Sequence, residues 1–194
     1  MSSSHKKSIV IFASGNGSNA INIIKYFKND NSTEVKAVFC NNPKANVIEK
    51  AKKEKVKVVL FSKYELLEKD GVKKKLIALE PDLIVLAGFL LKIPTKILES
   101  FPDKIINIHP ALLPKYGGKG MYGMNVHKAV VDHKEIESGI TIHYVNANYD
   151  EGAIIFQAKC KVNPTDQPQD IASKIHELEM RHFPKVIEKV IKKL

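Results

Sequence analysis

The sequence predicts an α/β protein built on a mostly parallel, twisted sheet of about seven strands, with helices on both faces and an antiparallel hairpin towards the C-terminus. Three observations predict it. Strand-length apolar runs alternate with longer stretches of helical periodicity from Ser8 to His109, and that alternation implies right-handed crossovers and parallel strands. The first run, Ser8–Ala13, is continuously apolar after its serine, the pattern of a strand buried on both faces. The last two strand-like segments are joined only by Asn146–Gly152, too short a connection for a helical crossover, so they should pair antiparallel.

Each element has its own reason. Ser8–Ala13 leads into Ser14-Gly15-Asn16-Gly17-Ser18-Asn19, after which Ile21, Ile24 and Phe27 recur at helical spacing. The apolar run Glu34–Cys40 predicts a second strand, and Val56–Leu60 a third after a helix over about 44–54. A helix over about 63–79 leads to a strand over Asp82–Gly88, and a short helix near 94–100 precedes the strand Ile105–His109. Pro110 and Pro114 then take the chain out of the sheet. Lys115–Gly123 carries four glycines in nine residues and predicts a loop. A helix over about 124–133 follows, then the strands Ser138–Val145 and Ala153–Val162. The last helix starts near Gln169 and should be interrupted near Pro184, because an interior proline lacks an N–H and crowds the carbonyl four residues back.

Composition narrows the function classes. At 194 residues the chain is expected to form one domain, 1–194, with a substantial core. No apolar run approaches membrane-spanning length, and Met1–Lys7 lacks the apolar core of a signal peptide, so a cytoplasmic protein is expected. The net charge is +10, from 31 Lys and Arg against 21 Asp and Glu. The lysines are spread through helical stretches, and Arg181 is the one arginine. That pattern fits a solvated lysine surface, attractive to anionic small molecules, better than a nucleic-acid track, which favours arginine. Cys40 and Cys160 sit far apart in strand-like contexts and are expected to be buried free thiols.

Two stretches carry chemistry. Strand, glycine-rich turn, helix is the arrangement that points free N–H groups and a positive helix end at an anion. The turn also spells G-x-G-x-x-A, but the second strand ends in Asn41-Asn42-Pro43 rather than in the acidic residue that holds a dinucleotide ribose. A phosphomonoester therefore fits better than a dinucleotide. In Ile105–His109 the side chains of Asn107 and His109 project to one face while Ile108 points the other way. Taken alone, the pair is equally a catalytic edge or a polar strand end facing water. Ligands of such sheets bind beyond the carboxyl ends of the strands. The Gly15–Asn19 loop, the Gly88–Ile93 turn and Asn107 with His109 all fall at such ends. Asp150, in the Asn146–Gly152 connection, has by itself a strong reading as a turn former. His109, His127, His133 and His143 lack a ligand spacing, so no metal is expected.

Asn107-Ile108-His109-Pro110-x-Leu112-Leu113-Pro114, Asp150-Glu151-Gly152 and the Ser14–Asn19 loop together resemble the phosphoribosylglycinamide formyltransferases of purine synthesis, over almost the whole chain from Ile9 to about Pro184. The resemblance implies a Rossmann-like formyltransferase fold. It implies transfer of the formyl group of 10-formyltetrahydrofolate, as co-substrate, to the amine of glycinamide ribonucleotide. Asn107, His109 and Asp150 would be the catalytic trio. Gly17, Ser18 and Asn19 would hold the 5′-phosphate, and Glu179 would contact the ribonucleotide. The folate would lie against Leu90, Leu91, Lys92 and Ile93, the Ala147–Asp150 loop, and Asn107. Partners would be small molecules, with no nucleic acid or membrane, and the protein a monomer or homodimer. Two features depart from the family: many members carry an arginine where this chain has Leu90-Leu91-Lys92, and the Gly117–Gly123 loop is longer than in short bacterial versions. The Asn-x-His and later Asp also mark methionyl-tRNA formyltransferases and formyltetrahydrofolate hydrolases. Those carry, respectively, a C-terminal barrel and an N-terminal regulatory domain, for which 194 residues leave no room.

Overall fold

A computed structural model describes residues 6–68 and 71–194. The strands are β1 (Lys7–Ala13), β2 (Thr33–Cys40), β3 (Lys57–Leu60), β4 (Leu83–Leu86), β5 (Ile105–His109), β6 (Glu137–Tyr144) and β7 (Ile154–Lys161). The helices are α1 (Ser18–Phe27), α2 (Val47–Lys53), α3 (Lys63–Leu67), α4 (Val72–Leu79), α5 (Thr95–Leu98), α6 (Met124–Asp132) and α7 (Pro168–Ile191). The strands form one seven-stranded sheet in the order β3-β2-β1-β4-β5-β6-β7. The chain divides into two compact units, one running to Ile106 and including Glu188–Leu194, the other Asn107–Ile187.

In the first unit β1 lies between β2 and β4 and is parallel to both, and β3 extends β2 in parallel. Ile9–Ala13 are fully buried, as an apolar strand covered on both faces must be. Phe12 stacks on Phe39 at 5.1 Å and meets Phe61 and Phe89 edge-on. The chain leaves β1 towards β2 on one side, while β4 pairs on the other. The loops after β1 and β4 therefore diverge at a topological switch point, where open α/β sheets keep their ligand crevice.

In the second unit β6 and β7 pair antiparallel, with a register shift between Ile142 and His143. The buried Thr141 side chain, reaching from β6, ties down the segment after β5. Its hydroxyl donates to the Ala111 carbonyl at 2.6 Å and accepts from the Leu113 N–H at 3.0 Å. The bond between Leu113 and Pro114 is cis.

Three expectations need correction. The helix expected over about 63–79 is two helices, α3 and α4; residues 69 and 70 of that expectation lie outside the described residues, as do residues 1–5 of the N-terminal segment. Ser62 starts α3 with a reciprocal capping box to Glu65, and Glu68 at ψ 147° ends it. The last helix is not interrupted at Pro184 but runs through it. Phe183, Val186, Ile187, Val190 and Ile191 are all buried. Burial worth roughly 1.5–3 kcal/mol for each such side chain outweighs a proline penalty of about 3 kcal/mol. Finally, Cys40 is buried but Cys160 only half-buried; both are free thiols.

Candidate active site

The second unit gathers Asn107, His109 and Asp150. Asn107 and His109 share a face of β5, as alternation requires, and Asp150 arrives on the β6–β7 connection in the left-handed region at φ 57°. His109 is 3% exposed, and its Nδ1 lies 3.5 Å from Asp150 Oδ2. His109 Nε2 stands 2.7 Å from the Tyr116 carbonyl. A carbonyl only accepts, so Nε2 carries the hydrogen and a neutral His109 keeps its Nδ1 lone pair towards the carboxylate. The ring is thus set to take a proton at Nδ1, where Asp150 would stabilise the cation.

The electrostatics point the same way. Burial pushes the His109 pKa below the ordinary histidine value, opposed by the Asp150 charge and the Tyr116 carbonyl. Burial alone would raise the Asp150 carboxyl. The charge of His109 and a 2.9 Å hydrogen bond from the Gly118 N–H oppose that, and the carboxyl is held below the usual carboxylate range. Among the interactions around Asp150 and His109, two come from the Lys115–Gly123 segment, through Tyr116 and Gly118.

His143, on β6, completes the cluster. It is 1% exposed, its Nδ1 lies 2.8 Å from the Tyr144 carbonyl, and its Nε2 lies 3.2 Å from Asn107 Nδ2. His127, on α6, is also buried, with burial and the nearby His109 lowering its pKa.

In the first unit the Ser14–Asn19 loop is braced on three sides. Ser14 N–H donates to the Gly88 carbonyl at 3.0 Å, its hydroxyl donates to Asn41 Oδ1 at 2.7 Å, and Ser14 Oγ accepts from Leu90 N–H at 3.1 Å. Lys50 Nζ holds Asn16 through its carbonyl and its side-chain oxygen. Gly17, at φ 75°, opens α1, and a Cβ there would stand 2.3 Å from Val47 Cγ2. No side chain caps α1 and no acidic residue sits in its first turn, so its N-terminal dipole is not offset locally. The Gly88–Ile93 turn follows β4, with Leu90 56% exposed and Ile93 buried. Glu179, in the second unit, lies on α7 with Oε2 3.7 Å from His176 Nδ1.

The predicted side chains therefore fall into two groups: the loop and turn meet through Ser14, and the trio meets around Asp150. Residues 7–187 match the family model described as Formyl transferase. The chain belongs to the formyl transferase family. Its relatives within that family are similar over most of this chain. Phosphoribosylglycinamide formyltransferase of Bacillus subtilis is 33% identical over 190 residues, covering 95% of this chain and 95% of that protein. The chloroplastic enzyme of that name from Arabidopsis thaliana is 35% identical over 188 residues. The chain spans 64% of the Arabidopsis protein's length and 60% of its Vigna unguiculata counterpart's. The crystal structure of glycinamide ribonucleotide transformylase 1 from Geobacillus kaustophilus superposes with a TM-score of 0.87 at 31% identity, over 96% of this chain and all of that one.

The sequence did not point to the contacts that His143, Tyr116 and Gly118 make with Asn107, His109 and Asp150. The alternation of β6 gives no signal for His143, because the strand is buried without alternation and its register shifts between Ile142 and His143. Tyr116 and Gly118 act through backbone atoms, for which side-chain identity gives no signal. Among the described residues no group of three or more His, Cys, Asp and Glu could hold a metal ion, and no helix is long and apolar enough to cross a membrane.

Proposed function

We propose that this protein transfers the formyl group of 10-formyltetrahydrofolate to the amine of glycinamide ribonucleotide. The observation that carries the reading is the cluster of half-buried Asn107 and Asp150 around buried His109 in a formyl transferase chain. The co-substrate supplies an activated formyl group; this chain's residues supply hydrogen bonds and proton transfer. The donor set suits such a transfer, because it offers an amide N–H for a developing oxyanion and an imidazole paired with a carboxylate for the amine's proton.

Asn107 Nδ2–H stabilises negative charge on the formyl oxygen, a type of contact whose loss costs about 3–4 kcal/mol of barrier. As the amine nitrogen bonds to the formyl carbon, His109 takes the amine's proton at Nδ1, facing Asp150 Oδ2, and the carboxylate stabilises the charged ring. When the bond from that carbon to the folate nitrogen breaks, the proton passes to that nitrogen and tetrahydrofolate leaves. Gly17, Ser18 and Asn19 at the start of α1 hold the 5′-phosphate, using a helix end without local acidic charge. Glu179 contacts the ribonucleotide. Leu90, Leu91, Lys92, Ile93 and Asn107 contact the folate. We place the reaction in the cytoplasm and treat 1–194 as one working domain.

The test mixes the protein with 10-formyltetrahydrofolate and glycinamide ribonucleotide and follows tetrahydrofolate release. Ribonucleotide-dependent release is the expected result. Release without any acceptor would replace the reading with a hydrolase, and release only with charged initiator tRNA would replace it with a tRNA formyltransferase.

A further inference from the structure

His143 is buried and lies against two members of the trio. Its Nε2 is 3.2 Å from Asn107 Nδ2 and 3.6 Å from Asp150 Oδ1. On its other side Nδ1 is 2.8 Å from the Tyr144 carbonyl. That carbonyl cannot donate, so Nδ1 bears the hydrogen and the neutral ring offers only a lone pair at Nε2. Asn107 must then present a donor to it. Turned by 180°, the amide would set its oxygen against that lone pair. One N–H of Asn107 goes to His143, and the second remains for the formyl oxygen.

Gly152 makes the arrangement possible. A Cβ at that position would stand 1.6 Å from the Tyr144 carbonyl oxygen and 3.5 Å from His143 Nδ1. Any side chain there would push the carbonyl away from Nδ1 and release the tautomer. The Asp-x-Gly spacing thus acquires a physical reason: Asp150 faces the Nε2 side of His143, and Gly152 admits the carbonyl that fixes Nδ1.

We propose that His143 is a positioning residue, which, held in its Nδ1–H tautomer by the Tyr144 carbonyl beside Gly152, locks the Asn107 amide with Nδ2 turned to Nε2. The catalytic consequence rests on the formyl-transfer reading; the contact itself does not. Histidine labelled with 15N tests the contact in the whole chain without substrates, the His143 signals being those missing from H143Q. Wild-type protein is expected to show His143 protonated at Nδ1 and bare at Nε2 at neutral pH. An Nε2–H tautomer or a doubly protonated ring would overturn the proposal.

Kinetics test the consequence. H143L, which removes the acceptor, is expected to lose about a hundredfold in kcat, the size of one lost oxyanion donor. Its KM for the ribonucleotide should stay within about threefold. H143Q, whose Oε1 can accept in place of Nε2, should recover about tenfold or more over H143L, since the donor it positions is worth two to three decades. Equal rates for the two variants would sink the positioning role. A wild-type protein without ribonucleotide-dependent turnover would instead refute the formyl-transfer reading, and the tautomer would still decide the contact.

Discussion

Asp150 faces His109 at 3.5 Å and accepts from the Gly118 N–H at 2.9 Å. Its carboxyl is held low despite burial. A carboxylate with a depressed folded pKa contributes stability that is complete above its unfolded value near ~4 and lost as pH falls through the folded value. D150N lacks this contribution, while asparagine tolerates the left-handed backbone there. Urea melts should therefore show the D150N deficit largest at about pH 7 and shrinking towards about pH 3; a deficit independent of pH would contradict the assignment. H109A should lower kcat by about two to four decades, the range of a general base, while still binding the ribonucleotide by calorimetry. Near-full turnover would remove His109 from the mechanism. Asn107 and His109 were legible because strand alternation alone puts them on one face. Asp150 was legible only through family resemblance, since an Asp in the Asn146–Gly152 connection has by itself a strong reading as a turn former. His143 was not, because its role depends on a tautomer set by a carbonyl and a cross-strand glycine.

At the scale of elements, the start of α1 depends on a residue without a side chain. G17A puts a Cβ 2.3 Å from Val47 Cγ2 at a positive φ, and should cost about 1–3 kcal/mol in denaturant melts. Because the same residue opens the proposed phosphate loop, KM for the ribonucleotide should rise more than kcat falls; an unchanged KM would detach the loop from the substrate. α7 offers the opposite case. P184A restores an N–H within a continuous helix, regaining up to about 3 kcal/mol and returning about 1 kcal/mol to the unfolded chain's freedom. A net gain of roughly 1–2 kcal/mol is expected by thermal unfolding, and a loss would mean that the ring packs usefully. The strand pattern was readable because buried parallel strands are apolar runs. The end of α3 and the passage of α7 through Pro184 were not, since capping and buried side chains outweighed the local signals used to place them.

For the whole molecule the dominant quantity is charge. A net +10 should speed encounter with an anionic ribonucleotide. Raising salt from about 0.05 to 0.5 M shortens the screening length from roughly 14 to 4 Å. KM for the ribonucleotide should therefore increase with salt while kcat holds, and a salt-independent KM would confine the phosphate interaction to short-range contacts. The strand order also has consequences beyond catalysis. β3 and β7 end the sheet, and each leaves a row of backbone groups to which another strand could add. Lys57 on β3 and Lys161 on β7 are exposed along those margins. For another copy to continue the sheet, it would have to bring like charges together and strip water from ammonium groups. The positive charge that draws in an anion thus also discourages fibril-like stacking of one molecule's sheet onto the next.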